Sequence, residues 1–285
     1  MEQSRALVGK RVLITGAARG IGAALAQRLH ERGARIAVVG LEADKLETLG
    51  KECGGAPWQV CDVADRQDVR TAVAKTVDVL GGLDIVVANA GIAAQLPLAG
   101  GTPGIMDRII GVNVMGVYNT IWAAAPHVSH PGGYVVLVSS FAAAIHLPLM
   151  GAYSASKAAV EALGNTLRIE LRPSGAKVGV AYFAELDTDM TRRGYDTRAA
   201  RALPAARFIG RKRPLEMGID ALERGIRRRS RRIVAPRWMT GALPFRMAIQ
   251  PIAERVTQPG LARALEIARE EQVSFTTAQP DDGDD

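Results

Sequence analysis

Lys10-Arg11-Val12-Leu13-Ile14 runs directly into Thr15-Gly16-Ala17-Ala18-Arg19-Gly20-Ile21-Gly22, and the reading of this stretch decides the fold. Its apolar opening predicts a short strand, its glycines a turn, and the spacing of Ile21, Leu25 and Leu29 a helix. Strand, glycine turn and helix is the arrangement in which bare backbone N–H groups and the positive helix end receive a phosphate. Gly16 allows the tight turn, Gly20 lets the backbone approach a pyrophosphate, and Gly22 permits close packing. A second apolar run, Ala34 to Val39, completes a β-α-β unit.

Outward from this unit, short β-branched runs alternate with helical patterns. Strands are predicted near 11–15, 34–39, 57–61, 84–88, 133–139 and 176–183, with a last one at Ile233-Val234-Ala235. That alternation predicts an α/β fold with a parallel sheet covered on both faces. Ile85 to Ala88 and Tyr134 to Val138 are almost continuously apolar, which places them at the sheet centre. The chain has 285 residues, 48% hydrophobic and 5% aromatic, enough for one large core plus a tail. Cys53 and Cys61 have neither metal-ligand spacing nor enough partners for a disulfide framework, so no metal is expected. The amino terminus lacks an apolar signal core, and no stretch approaches the run of about 20 apolar residues that spans a bilayer. A cytoplasmic protein is the expectation.

The chemistry is written in the run Tyr153-Ser-Ala-Ser-Lys157. Positions i and i+4 of a helix share one face, so a phenol and an ammonium project into the same space. A free phenol titrates near pH 10, roughly, and a neighbouring cation stabilises its phenolate, which makes the pair an acid/base centre. An isolated pair of this kind also arises by chance on a helix surface, so its weight comes from the rest of the chain.

Taken together, TGAARGIG at 15–22, CDV at 61–63, ANAG at 88–91, VNVMG at 112–116, SS at 139–140 and YSASK at 153–157 resemble the classical short-chain dehydrogenase/reductase family. The resemblance runs from about residue 8 to about residue 235. It implies a Rossmann-like doubly wound parallel sheet, a nicotinamide dinucleotide cofactor and an oxidoreductase. The family's catalytic serine lies thirteen residues before the tyrosine, which points to Ser140. By the same resemblance Asn113, Ser140, Tyr153 and Lys157 are the catalytic residues, Asn113 holding a water of the proton relay. Gly16, Ala18, Arg19, Gly20, Ile21 and Gly22 meet the dinucleotide phosphates. Gly40 and Leu41 meet the adenosine ribose, and Asp62 and Val63 the adenine. Asn89, Ala90 and Gly91 steady the central strand end, Leu186 meets the carboxamide through its backbone, Thr188 places a hydroxyl near the pyrophosphate, and Tyr153 and Lys157 hold the nicotinamide half.

Two departures from the family pattern stand out. Relatives that use NAD carry a carboxylate at the end of the second strand, where this chain has Gly40. Arg19 in the glycine turn offers a guanidinium to a 2′-phosphate, which makes NADP the expected cofactor. Leu41 stands where many NADP users place a second arginine, and Glu42 could reach back to the ribose, so NAD stays open. After the sixth strand the usual Pro-Gly is replaced by Phe183-Ala184, beside the expected nicotinamide.

The loops beyond the strand ends are apolar: Ala93, Ala94, Leu96 and Pro97, then His146, Leu147, Leu149 and Met150, then a lid from Tyr182 to Met190. They suit a hydrophobic ketone, aldehyde or secondary alcohol, although apolar residues in such loops also serve ordinary packing. Ala158, Ala159, Ala162, Leu163, Leu167 and Leu171 form a face for either a second subunit or the chain's own sheet, and the resemblance implies a dimer or tetramer. Net charge is +7, and much of it lies in Arg224 to Arg232. That run reads as a solvated helix end, and no nucleic acid partner is expected because no aromatic residues interleave it. Residues 236–278 form a C-terminal extension in which Trp238, Met239, Leu243, Phe245, Met247 and Ile249 could cover the substrate, meet another subunit or touch a membrane surface. Gln279 to Asp285 read as a disordered acidic tail. A non-catalytic dinucleotide sensor or scaffold is the alternative to an enzyme.

Overall fold

A computed structural model of the chain describes residues 6–194, 197–204, 212–271, 275 and 279. The sheet contains seven strands, all parallel: β1 (Arg11–Thr15), β2 (Arg35–Gly40), β3 (Trp58–Val60), β4 (Ile85–Ala88), β5 (Tyr134–Val138), β6 (Lys177–Phe183) and β7 (Arg232–Ala235). Their spatial order is β3-β2-β1-β4-β5-β6-β7. The chain first builds outward from β1 to β3, then returns to build from β4 in the other direction. Between β1 and β4 the connections leave in opposite directions, and this switch opens a crevice at the carboxyl ends of the strands.

Alternation along the strands explains why both faces are covered. Val12, Ile14, Ile36, Val38, Val87 and Val136 point to one side, where they pack with α1 (Gly20–Glu31), α2 (Ala43–Glu52) and the helix Leu215–Arg228. Leu13, Ala37, Val39, Val86, Val135 and Leu137 point to the other. There they meet α3 (Arg66–Leu80), α4 (Pro103–Ile110), α5 (Gly116–Val128) and α6 (Gly151–Glu170). Side chains of successive strand residues leave opposite faces, so a strand covered on both sides must be apolar throughout. On α6, Leu163, Leu167 and Leu171 join this second core and Ala162 is exposed, so the leucines of the anticipated face serve the chain's own sheet.

The basic run is the end of a helix. Arg229 adopts a left-handed conformation (φ 50°) as the C-cap of Leu215–Arg228, and its guanidinium donates to the carbonyls of Gly133 and Gly175. Beyond β7 the anticipated apolar patch divides. Met239 is fully buried, and Leu243 and Ile249 pack against Ala144 and Ile145, whereas Trp238, Phe245 and Met247 are exposed. The helix Arg246–Thr257 thereby rests on the loop preceding α6, fixed there by Gln250, which exchanges hydrogen bonds with the backbone of His146. Among the described residues no helix is long and apolar enough to cross a membrane. Of the anticipated acidic tail only Gln279 is among the described residues, and residues 280–285 lie outside them.

Candidate active site

A single cavity lies along the carboxyl ends of β1, β2, β4, β5 and β6. At one end it is walled by Gly16, Ala18, Arg19, Gly20, Ile21, Gly40 and Leu41. Asp62, Val63, Asn89, Ala90 and Gly91 line its middle, and Ser140, Tyr153, Lys157, Leu186 and Thr188 its other end. Gly22 and Asn113 are not part of the wall.

The glycine turn is built by close approach. Gly16 has φ 62°, and a Cβ there would lie 2.6 Å from the Cα of Ala90, so β1 and β4 can meet at this point only without a side chain. A side chain at Gly22 would strike the Gly16 carbonyl and lie 2.8 Å from Ala17 Cα. Asn89 locks the junction, its amide donating to the carbonyls of Thr15 (3.0 Å) and Gly16 (3.1 Å) while Thr15 Oγ1 accepts from the backbone of Asn89 and Ala90.

Ser140, Tyr153 and Lys157 converge from β5 and α6. The helix begins at Gly151, so Tyr153 sits in its first turn and Lys157 one turn further on, both buried. The Lys157 ammonium donates to the Val138 carbonyl at 3.0 Å and lies 5.6 Å from the centroid of the Tyr153 ring. The two adjacent serines separate cleanly. Ser139 spends its hydroxyl on the Lys157 carbonyl (2.8 Å), whereas Ser140 lines the cavity with Tyr153, accepts from Ala142 N–H and reaches the Phe183 carbonyl only at 3.5 Å.

Electrostatics in the folded chain run against the simple expectation that Lys157 lowers the phenol's pKa. Burial pushes Tyr153 up to about 12, with the hydrogen bond from Ser140 opposing and the charge of Glu185 reinforcing the rise. Burial also pushes Lys157 down to about 8. The cost of removing phenolate from water is the largest of these effects.

Asn113 lies in a π-helical turn, Gly111–Met115, between α4 and α5. Single π turns inside helices recur at functional sites because they shift the hydrogen-bond register. Its side chain is fully buried, with Oδ1 accepting from Ile92 N–H (2.8 Å) and Nδ2 donating to Ile92 O and Ser156 Oγ (both 2.9 Å). It thus pins the loop after β4 to α6, and a Cβ on Gly91 would lie 3.3 Å from its Oδ1 and 3.2 Å from Lys157 Nζ.

At the far end Arg19 is engaged. Its Nε donates to Glu42 Oε2 at 2.8 Å, a second contact reaches the other carboxylate oxygen, and Asp189 lies 3.8 Å away. Lys45 holds the same Glu42 at 2.8 Å. Asp62 is paired with Arg108 at 2.7 Å, and Arg108 also donates to Gln279. Phe183 continues β6 as the partner of Ala235, and the Ala184 N–H donates to the Ala235 carbonyl (3.0 Å). Beyond it, Glu185, Asp189, Met190, Thr191, Val112, Ile92 and Gln279 line the cavity without having been singled out in the sequence as site residues.

Comparison with known proteins agrees with this geometry. Residues 10–199 match the family described as short chain dehydrogenase. The chain belongs to the short-chain dehydrogenase family. It is 32% identical to an L-fucose dehydrogenase of Oryctolagus cuniculus over 221 residues, covering 75% of this chain and 78% of the relative. A glycine betaine reductase of Emericella nidulans, ATRR, is 34% identical over 198 residues, 68% of this chain but only 16% of that much longer protein. Among solved structures, a dehydrogenase/reductase from Sinorhizobium meliloti 1021 superposes with a TM-score of 0.70 at 28% identity, covering 81% of this chain and 96% of that one. As a member of this family the chain is an NAD(P)-dependent oxidoreductase acting on CH–OH groups. The cradle suits such a dinucleotide: a side-chain-free turn at a helix N-terminus, then a continuous wall leading to the buried tyrosine.

Proposed function

We propose that this short-chain dehydrogenase interconverts a hydrophobic carbonyl compound and its alcohol, with Tyr153 as general acid/base and NADP as the preferred cofactor. The observation that carries this reading is the convergence of Ser140, Tyr153 and Lys157 at one end of a cavity whose other end is the glycine turn. The dinucleotide supplies or accepts the hydride. Tyr153 supplies the accompanying proton in reduction, and its burial keeps the phenol protonated at neutral pH. Ser140 donates a hydrogen bond to the substrate oxygen as charge develops there. Lys157 holds the nicotinamide ribose and supports phenolate once the proton has left, while Asn113, its side chain spent on Ile92 and Ser156, acts by tying the loop after β4 to α6 and not by holding a water of the relay. Gly40, in place of a carboxylate, leaves room for a 2′-phosphate, for which Arg19 is the counter-charge.

The catalytic end is greasy. Ala93, Met150 and Tyr153 pack together with Ala142, Leu147 and Met190, and the same loop is buttressed by Ile249 and Ala253 of the helix Arg246–Thr257 and by Leu243 just before it. We therefore read the described part of the C-terminal extension, through Leu243, Ile249 and Ala253, as a cover for an apolar substrate. A second copy of the chain would meet α5 and α6, where Tyr118, Trp122 and Ile169 are exposed.

Tyr153→Phe tests the catalytic reading. Turnover should fall by about 10²- to 10⁴-fold while nicotinamide cofactor affinity stays within a few-fold. A non-catalytic sensor requires the wild type to bind cofactor without consuming it against a panel of ketones and alcohols.

A further inference from the structure

Four carboxylates line the cavity, and three have cations beside them: Glu42 has Arg19 and Lys45, Asp62 has Arg108, and Asp189 lies near Arg19. The fourth, Glu185, differs. Among the described residues no side chain or backbone donor lies within hydrogen-bonding or ion-pair distance of its carboxylate. It belongs to the catalytic end, following Phe183 and Ala184 in the wall, and its charge is felt by Tyr153.

The position is built. Ala184 is tied to β7 by its hydrogen bond to Ala235, and the Glu185 carbonyl accepts from Arg213 N–H at 2.8 Å. Leu186 bridges to Arg213, and Asp187 N–H donates to the Arg213 carbonyl. Backbone bonds on both sides therefore fix where the side chain of Glu185 enters the cavity. Burial raises its pKa, with the charge of Lys212 acting in the opposite direction. A carboxylate partly removed from water without a donor is costly, and that cost is relieved when a ligand brings one.

We propose that Glu185 is a specificity-determining residue that accepts a hydrogen bond from a hydroxyl carried by the substrate on a carbon other than the reacting one. This rests on the oxidoreductase reading above and narrows it: an apolar carbonyl compound or alcohol with one further hydroxyl. A neutral donor suits the site better than an amine. The buried Lys157 ammonium shares the cavity and Lys212 already acts on Glu185, so a further cation would meet repulsion from both. An anionic substituent at this point would meet Glu185 itself.

The test uses full-length protein saturated with oxidised cofactor and four probes, cyclohexanol and the cyclohexane-1,2-, 1,3- and 1,4-diols, with dissociation constants from ligand-observed NMR titration. At least one diol should bind wild type about tenfold or more tightly than cyclohexanol, the size of a hydrogen bond to a charged group. Glu185→Leu should bring that ratio near one, and Glu185→Gln, which keeps an acceptor oxygen, should retain part of it. The proposal is overturned if no diol is preferred by wild type, or if the preference survives in Glu185→Leu. It is equally overturned if both variants lose cofactor affinity, since Glu185 would then serve the nicotinamide or the loop. Binding ratios need no turnover, so the Tyr153→Phe comparison tests the oxidoreductase reading independently.

Discussion

Arg19 and Glu42 face each other at the dinucleotide end of the cavity, the guanidinium Nε donating to the carboxylate at 2.8 Å. The residue that would attract a 2′-phosphate is thus held by a residue that would repel it. Binding of NADP must exchange the Glu42 carboxylate for the phosphate on Arg19. Glu42→Gln removes the competitor and should raise NADPH affinity about five- to thirtyfold, while leaving NADH within threefold. Calorimetric titration of both cofactors into both proteins measures this. A loss of NADH affinity in the variant would instead show that Glu42 holds the ribose hydroxyls.

The two adjacent serines should behave oppositely. Ser140→Ala removes the hydroxyl that shares the catalytic end of the cavity with Tyr153 and should lower kcat about a hundredfold with little effect on thermal stability. Ser139→Ala removes the side-chain donor to the Lys157 carbonyl and should cost about 1 kcal/mol of stability, with kcat reduced far less. Steady-state kinetics and chemical denaturation on both variants give the comparison.

The direction of reaction should show in the pH profile. With the phenol pushed up to about 12, Tyr153 is a proton donor throughout the neutral range. Carbonyl reduction should be insensitive to pH between about 6 and 8, whereas alcohol oxidation, which needs phenolate, should rise with pH over the same interval. Parallel kcat/KM profiles in the two directions check this. An oxidation rate independent of pH would mean that proton removal is not part of the limiting step.

The sheet was legible because apolar strands and helical spacings alternate without interruption from Arg11 to Ala235, and each predicted strand lies within about one residue of its observed bounds. Spacing also places Tyr153 over Lys157 on one helix. Less legible was whatever depends on the meeting of distant segments. Nothing in the composition of Gly111–Met115 signals a π turn, nor that its Asn113 reaches Ile92 and Ser156. Arg19 and Glu42 were each visible in sequence, but their pairing is set by adjacency of the ends of β1 and β2. Glu185 passed as part of a lid because only the β6–β7 pairing and the Arg213 contacts aim it inward. The upward push of burial on the phenol is illegible for a related reason: the spacing shows the neighbouring cation and says nothing of how completely both groups are buried.

Lys157 carries the clearest conflict between stability and function. It is only 4% exposed, and burial lowers its pKa from 10.5 to about 8. At pH 7 the ammonium is charged both folded and unfolded, so the desolvation cost falls wholly on the folded state. Between pH 8 and 10.5 the unfolded chain holds more protons at this site than the folded one, so stability contributed here rises with pH. Lys157→Met keeps the length of the side chain without its charge. It should abolish turnover and raise stability at pH 7 by about 1–3 kcal/mol. The advantage over wild type should shrink as the pH is raised from 8 toward 10, because wild type sheds the buried charge. Urea denaturation of both proteins at pH 7, 8.5 and 10 reads this directly. A variant less stable than wild type at pH 7 would mean that the bond to the Val138 carbonyl outweighs the cost of burying the charge.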